Sequence, residues 1–170
     1  SFGQGTNNYT VSQLAKYVTT VANKGTLYDL TLLNKIETVD GELVKAYDPK
    51  FKAELSDVSD HTWNLVHQGM KKMVKSSAVF RPLRQANFSM SGKTGTAQQS
   101  TLHPNHALFT GFAPSDNPEI ALSVRIANGA KSAFASEIGR DIVRYYFKLA
   151  EESDIIHNQA SSVTSETIGD

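Results

Sequence analysis

The sequence predicts an α+β domain in which helices cover an antiparallel sheet. Apolar residues recur at helical spacing in three segments, which begin near residues 10, 59 and 134. Between the second and third of these segments lie three strand-like segments in short succession, which favours an antiparallel meander. Helices that flank an antiparallel sheet define the α+β class.

The composition suits one domain and excludes several classes of function. The 170 residues include 17 basic and 17 acidic side chains, so no long-range field attracts nucleic acid, which is not an expected partner. The absence of cysteine excludes disulfides, zinc-thiolate sites and thiol nucleophiles. The chain has no apolar run of about 18 residues and no signal-peptide pattern at its start, and as given it is expected to be soluble.

The first half of the chain predicts a helix followed by a hairpin. Thr10 and Gln13 form a capping box that starts the helix, and Gly25 supplies its C-terminal stop. The segments 30–39 and 42–47 then read as two strands. Between them lies Asp40-Gly41, a dipeptide that suits a type I′ turn.

The second half predicts two helices and the sheet. The second helix starts at Ser59 or Asp60, and a loop that contains Pro82 follows it. The third helix runs from about Phe134 to Ala150. Residues 1–151 therefore form the domain, and the few large side chains in 152–170 predict a disordered tail. Two apolar sets are expected in the core, one on the second helix and one on the last strand: Trp63, Val66, Met70, Met73 and Val74; Ile120, Leu122, Val124 and Ile126.

The stretch "SGKTGT" at 91–96 places a lysine and two threonines among glycines, with few apolar side chains for a core strand. Gly92-Lys93-Thr94 could end a phosphate-binding loop, but that motif needs glycine at position 87, where this chain has Asn87. The motif also needs a following helix, and here another strand is predicted. A nucleotide site is therefore not expected.

Lys93-Thr94-Gly95 also matches the K-T-G element of serine acyltransferases that react with penicillin. An edge strand that lines a cleft must let a peptide-like substrate lie against its unpaired backbone groups, and glycine permits that approach. Lysine supplies a positive field for a substrate carboxylate. The alternative, which three residues alone leave open, is an ordinary glycine-rich edge strand whose lysine prevents aggregation.

Longer blocks of sequence extend the match. "FGQG" at 2–5, "TVSQLAKYVTTVANKGTLY" at 10–28, "GKTGTAQ" at 92–98 and "NHALFTGFAPSDNPEIALSV" at 105–124 occur in this order. Over residues 1 to about 150 the chain resembles the C-terminal part of the transpeptidase domain of class B penicillin-binding proteins. The resemblance implies part of the fold shared by penicillin-binding proteins and serine β-lactamases.

The resemblance also implies roles for residues of the K-T-G strand. Lys93 would be the active-site lysine of the third family motif, and the Thr96 N–H would form half of the oxyanion hole. Thr94 and Thr96 would hold the carboxylate of a penicillin or of a D-Ala-D-Ala terminus. Gly95 would allow close approach, and Gln98 would edge the cleft. Strict alternation puts Lys93 and Thr94 on opposite faces of a strand, so this set requires a twisted edge reached from one side.

Two further family motifs are missing or displaced. No serine has lysine at the third following position, so the S-x-x-K nucleophile does not occur in the sequence. Ser115-Asp116-Asn117 spells S-x-N but lies between Pro114 and Pro118 after K-T-G, where a turn needs such residues anyway. Both true motifs are therefore expected upstream of Ser1, and the chain is expected to be a fragment. His103 and His106 have metal-like spacing but no acidic or cysteine partner nearby in sequence, and a structural or surface role is expected.

By the resemblance, the whole protein is a peptidoglycan D,D-transpeptidase that cross-links stem peptides through an acyl-serine intermediate and is acylated by β-lactams. It would need no metal or organic cofactor, and an upstream segment would anchor it on the extracytoplasmic face of a bacterial membrane. Its partners would be the D-Ala-D-Ala stem peptide, β-lactams and its own upstream part. The alternatives are a serine β-lactamase or β-lactam sensor, which uses the same strand, and a non-catalytic binding module.

Overall fold

The computed structural model describes residues 8–99 and 101–156. The "FGQG" block at 2–5 lies outside the described residues, as does most of the tail that was predicted to be disordered. The first residues of that tail form a one-turn helix. The elements in chain order are α1 (Val11–Ala22), β1 (Thr26–Asp29), β2 (Lys35–Glu37), β3 (Leu43–Ala46), β4 (Lys50–Glu54), α2 (Asp60–Ser76), α3 (Arg81–Gln85), β5 (Ser91–Ala97), β6 (His106–Ala113), β7 (Ile120–Ile126), α4 (Ser132–Tyr146) and α5 (Glu152–Ile155).

The three predicted helices form, and their ends have the expected causes. The Thr10 side chain accepts from the Gln13 N–H while the Gln13 side chain accepts from the Thr10 N–H, which completes the capping box of α1. Ser59 caps α2. α4 ends before Ala150, because Lys148 takes a positive φ of 53° and the Leu149 N–H returns to the Arg144 carbonyl.

The region between α1 and α2 differs from the predicted simple hairpin. The predicted strand 30–39 does not form as one strand: β2 pairs with β3, and β1 pairs with β4 in a second two-stranded sheet. The prediction of a type I′ turn at Asp40-Gly41 is also wrong. Such a turn needs positive φ at both central residues, yet Gly41 has positive φ and Asp40 does not. Instead Thr38 and Gly41 close a turn, and the register shifts at Ile36–Glu37.

The predicted loop around Pro82 is also wrong, because it is helical. A 3₁₀ turn at Ala78–Phe80 leads directly into α3. Pro82 lies in the first turn of α3, where the missing N–H has no intrahelical partner to lose. Phe80 and Leu83 are thereby buried in the core. Pro82, which was predicted to lie in a loop, therefore lies at the start of a helix.

The predicted meander is confirmed: β5, β6 and β7 form an antiparallel sheet in that order, and the fold is α+β. α4 covers the face that carries Phe109 and Leu122. α1 and the N-terminal half of α2 cover the other face, against Phe112 and Ala121. No helix among the described residues has the length and apolar character needed to span a membrane.

The predicted core sets are only partly buried. Trp63 and Val74 of α2 are 8% and 4% exposed, but Val66 is 40% exposed. On β7 Leu122 is buried, while Ile120, Val124 and Ile126 are half-buried against the same core. In the described part of the chain β7 pairs with β6 alone, so it is an edge strand and its side chains are covered from fewer directions.

Phe109 joins the sheet to α4 through two glycines. A Cβ added to Gly92 of β5 would lie 2.5 Å from the ring of Phe109, and one added to Gly139 of α4 would also lie 2.5 Å from that ring. Real Cβ atoms do not approach so closely. The ring is fully buried and cannot turn away. Gly92 therefore serves internal packing, a role that differs from the ligand access expected of glycine in this stretch.

We predict that Gly139→Ala destabilises the fold by about 1–3 kcal/mol, because overpacking against Phe109 exceeds the gain in helix propensity. Gly69→Ala is the matched control: it also lies in a helix, but its added Cβ meets nothing within 4 Å. It should stabilise by up to about 1 kcal/mol. Denaturant unfolding measures both, and an unchanged or raised stability for Gly139→Ala would contradict this packing.

Candidate active site

The K-T-G stretch forms β5, which is an edge strand. Among the described strands β5 pairs with β6 alone, so its other edge has no strand partner. α2 packs beside β5, and the first two residues, Ser91 and Gly92, are buried. From Lys93 to Ala97 every residue is exposed or half-buried. The accessible part of the edge therefore begins at the K-T-G residues.

The register of the sheet places Lys93 and Thr94 on opposite faces. Lys93 lies opposite Thr110 of β6, whereas Thr94 lies opposite Phe109. Residues directly opposite in an antiparallel pair share a face, so Lys93 is on the α1 side and Thr94 is on the α4 side. Thr96 shares the face of Thr94.

The backbone at the edge joins the two faces. Lys93 is exposed, and its Nζ donates to the Thr94 carbonyl at 2.6 Å. The ammonium is therefore held at the backbone of the strand. The remaining predicted residues also lie at this edge: Gly95 is half-buried opposite Leu108, and Gln98 is exposed just beyond the end of β5.

Gly95 is less constrained than Gly92. A Cβ added there would lie 3.3 Å from the Cβ of Leu108, a tight contact that does not involve a ring. The structure therefore separates the two glycines of the motif. Gly92 is required by packing against Phe109, and Gly95 stands at the accessible part of the strand.

Three clefts among the described residues lie elsewhere. One of them, about 1020 Å³, is lined by the start of α1 and by the segments around β1, β3 and β4. Its charges are partly paired, since Lys16 donates to Asp29 at 2.7 Å and, with Lys52, holds the pKa of that carboxyl below its usual value. Two others, about 320 and 410 Å³, also exclude residues 93–96. An open strand edge is one wall, and it becomes a groove only when a second wall faces it.

The literal S-x-N segment is part of a turn. Ser115 is buried, and its Oγ accepts from the Oγ of Ser91 at 2.9 Å. Its N–H donates to the Ser89 side chain, and Asp116 pairs with Lys71 of α2 at 2.7 Å. This segment ties the β6–β7 connection to the start of β5. Among the described residues, the hydrogen bond recorded for the Ser115 hydroxyl is with another hydroxyl, that of Ser91, so its environment is structural.

His103 and His106 do not form a metal centre in the described part of the chain, where no group of three potential ligands occurs. His103 is exposed in the β5–β6 connection. His106 is buried and is held by hydrogen bonds to Gln99 and to the backbone of Asn128. The phosphate-loop alternative also fails, because the next element after the motif is strand β6, and the described residues between β5 and β6 form no helix.

Comparison with known proteins identifies the class. The model of the penicillin-binding protein transpeptidase domain matches residues 1–144. The chain belongs to this family. The resemblance to class B penicillin-binding proteins that the sequence motifs indicated is confirmed, and so is the fold that it implied.

Individual relatives agree. The chain is 30% identical over 162 residues to the peptidoglycan D,D-transpeptidase MrdA of Haemophilus influenzae, covering 85% of this chain and 24% of the relative. It is 32% identical over 162 residues to penicillin-binding protein 2B of Streptococcus pneumoniae, covering 87% of this chain and 24% of that protein. The chain thus spans about a quarter of the length of these relatives.

Solved structures show the same fold. The imipenem acyl-enzyme complex of penicillin-binding protein A from M. tuberculosis superposes with a TM-score of 0.72 at 26% identity, covering 85% of this chain and 32% of that one. Penicillin-binding protein 2B from Streptococcus pneumoniae gives 0.66 at 29% identity, covering 83% and 25%.

We predict that Ser115→Ala leaves covalent labelling by a fluorescent penicillin unchanged in the protein that carries this chain. The same substitution should lower the free energy of unfolding by about 1–3 kcal/mol, because the buried Ser91 hydroxyl loses its acceptor. Labelling and denaturant unfolding are measured on one preparation. Loss of labelling without loss of stability would show that the S-x-N reading of residues 115–117 is the correct one.

Proposed function

We propose that the protein carrying this chain is a peptidoglycan D,D-transpeptidase and that β5 forms one wall of its active site. Membership of the transpeptidase family supports the reaction class. The observation that carries the proposal is the accessible edge of β5 from Lys93 onward, which pairs with no strand of the described residues. An extended peptide can lie against such an edge and pair with its backbone.

The backbone direction supports the role of Thr96. The Thr94 carbonyl accepts from the Lys93 side chain, which we infer places that carbonyl on the side of β5 away from β6. Because backbone groups alternate in direction along a strand, the N–H of Thr96 points to the same open edge. An N–H in that position can donate to the oxygen that becomes negative in acyl transfer.

The remaining roles follow from charge and reach. Lys93 supplies a positive charge for the substrate carboxylate and helps proton transfer, while the hydroxyls of Thr94 and Thr96 bind that carboxylate. The two threonines share a face, and the Lys93 ammonium reaches across the edge towards it. Gly95 leaves room for the substrate, and Gln98 borders it where β5 ends. Lys93 and Thr94 lie on opposite faces of the strand, but a ligand bound at the strand edge can contact side chains of both faces.

The nucleophile belongs to the upstream part of the protein in this proposal. Its S-x-x-K serine attacks the carbonyl of the penultimate D-alanine, the peptide C–N bond breaks, and D-alanine leaves with the proton. An amine of a neighbouring stem peptide then attacks the acyl-serine and restores the hydroxyl. β-Lactams acylate the same serine. The upstream part also supplies the second wall of the groove and an anchor at the extracytoplasmic face of the membrane.

We predict that the 170-residue chain alone forms no covalent adduct with a labelled penicillin, because the sequence contains no S-x-x-K serine. The whole protein should form a stable adduct that survives denaturation. Intact-mass measurement after penicillin treatment checks both. An adduct on the chain alone would reveal a nucleophile within it. Rapid release of hydrolysed penicillin from the whole protein would indicate a β-lactamase, and no reaction at all would indicate a binding module.

A second prediction concerns the cation at the edge. In the whole protein Lys93→Ala should lower the acylation rate by about 10²–10⁴-fold, since it removes the charge that binds the carboxylate and helps proton transfer. Lys72→Ala is the control, because Lys72 is also exposed but lies on α2. The time course of covalent labelling with fluorescent penicillin measures the acylation rates of both variants. Equal acylation rates for the two variants would show that Lys93 does not contribute to the active site.

A further inference from the structure

We propose that His106 is a positioning residue for this site: through Gln99 it holds the C-terminal end of β5, and with it the Thr96 N–H, in the geometry used for acyl transfer. The proposal rests on the proposed function. It starts from a histidine that the sequence singled out only for its spacing to His103. In the structure this histidine is 8% exposed and lies at the first position of β6.

The ring of His106 is held from the far side of the sheet. Its Nδ1 lies 3.0 Å from the backbone nitrogen of Asn128, which follows β7. A backbone N–H can only donate, so Nδ1 accepts and carries no proton. This assigns the proton of the neutral ring to Nε2. The anchor comes from backbone, so it fixes the ring without depending on a flexible side chain.

The protonated nitrogen of the ring meets Gln99. The side-chain oxygen Oε1 of Gln99 lies 2.5 Å from Nε2, and an amide oxygen is the acceptor that an N–H requires. Arg125 of β7 places Nη2 3.0 Å from the same nitrogen. A guanidinium has no acceptor atom, so the partner of the Nε2 proton is Gln99 and not Arg125. His106 thus links the end of β7 to the segment beyond β5.

This link acts where the edge strand would otherwise open. The pair Ala97–His106 is the last of the β5–β6 ladder, and Thr96 precedes it by one residue. Gln98 and Gln99 lie beyond the ladder. Strand ends with few backbone partners open locally at low free energy, and β5 has a ladder on one side only. The contact between His106 and Gln99 closes that end and limits the excursions of the Thr96 N–H.

Two substitutions distinguish the contact of His106 with the Asn128 N–H, the anchor, from its contact with Gln99, the latch. His106→Asn places an amide near the position of Nδ1, keeps contact with the Asn128 N–H, and is too short to reach Gln99. His106→Gln is longer and can again donate towards Gln99. We expect His106→Asn to slow penicillin acylation of the whole protein by about threefold to tenfold, the effect of one lost hydrogen bond, and His106→Gln to stay within about twofold of the unsubstituted protein.

The controls come from the same segment. His103→Asn and His103→Gln introduce the same residues at an exposed histidine of the β5–β6 connection and should leave the rate unchanged. Gln99→Leu should slow acylation as much as His106→Asn does, and the double variant should be no slower than either single one. Such non-additivity is expected of two residues that act through one contact.

Amide hydrogen exchange provides a readout independent of acylation. The backbone amides of 96–99 should exchange faster in His106→Asn and Gln99→Leu, and at the original rate in His106→Gln. Equal acylation by His106→Asn and the unsubstituted protein, or additive losses in the double variant, would overturn the proposal. So would equal slowing in both His106 variants in proportion to a fall in thermal stability. If the whole protein does not react with penicillin, the proposed function fails, while the exchange rates still decide whether the latch exists.

Discussion

The position of β5 depends on the ring of Phe109, which is packed between two backbone segments that carry no side chain. The ring touches Gly92 of β5 on one side and Gly139 of α4 on the other, and it is completely buried. β5 is therefore held from its α4 face by this contact and along one edge by β6. α2 also packs beside β5, whose first two residues are buried. The strand can lack apolar side chains from Lys93 onward because its buried first two residues and its pairing with β6 hold it in place.

The difference between the buried start of β5 and its accessible remainder explains the composition of "SGKTGT". The buried start of the strand carries Ser91 and Gly92, which bind the Ser115 turn and the Phe109 ring. The exposed remainder carries the charged and hydroxyl side chains. The side chain of Lys93 and those of the two threonines start on opposite faces, and the Lys93 ammonium reaches the Thr94 carbonyl. In this proposal the edge is one wall of the catalytic groove, and the three clefts described above lie away from it.

Local signals in the sequence predicted the elements whose causes are local. The capping box at Thr10, the cap at Ser59 and the alternation of β7 gave helices and strands in the right places. The prediction of a loop around Pro82 was wrong, because proline disrupts the interior of a helix but is well suited to its first turn. The β1–β4 pair could not be predicted, since it joins segments about two dozen residues apart and leaves all its side chains exposed or half-buried. The K-T-G residues were found by pattern, whereas the contacts of Gly92 and His106 depend on tertiary packing that no local pattern records.

The most direct test of the account is a crystal structure of the whole protein after acylation by a penicillin. The account predicts that the acyl group lies along the open edge of β5, with its carbonyl oxygen about 2.7–3.2 Å from the backbone nitrogen of Thr96 and its carboxylate near Thr94, Thr96 and Lys93. An acyl group bound away from β5, or a β5 edge covered by another strand of the same protein, would contradict it.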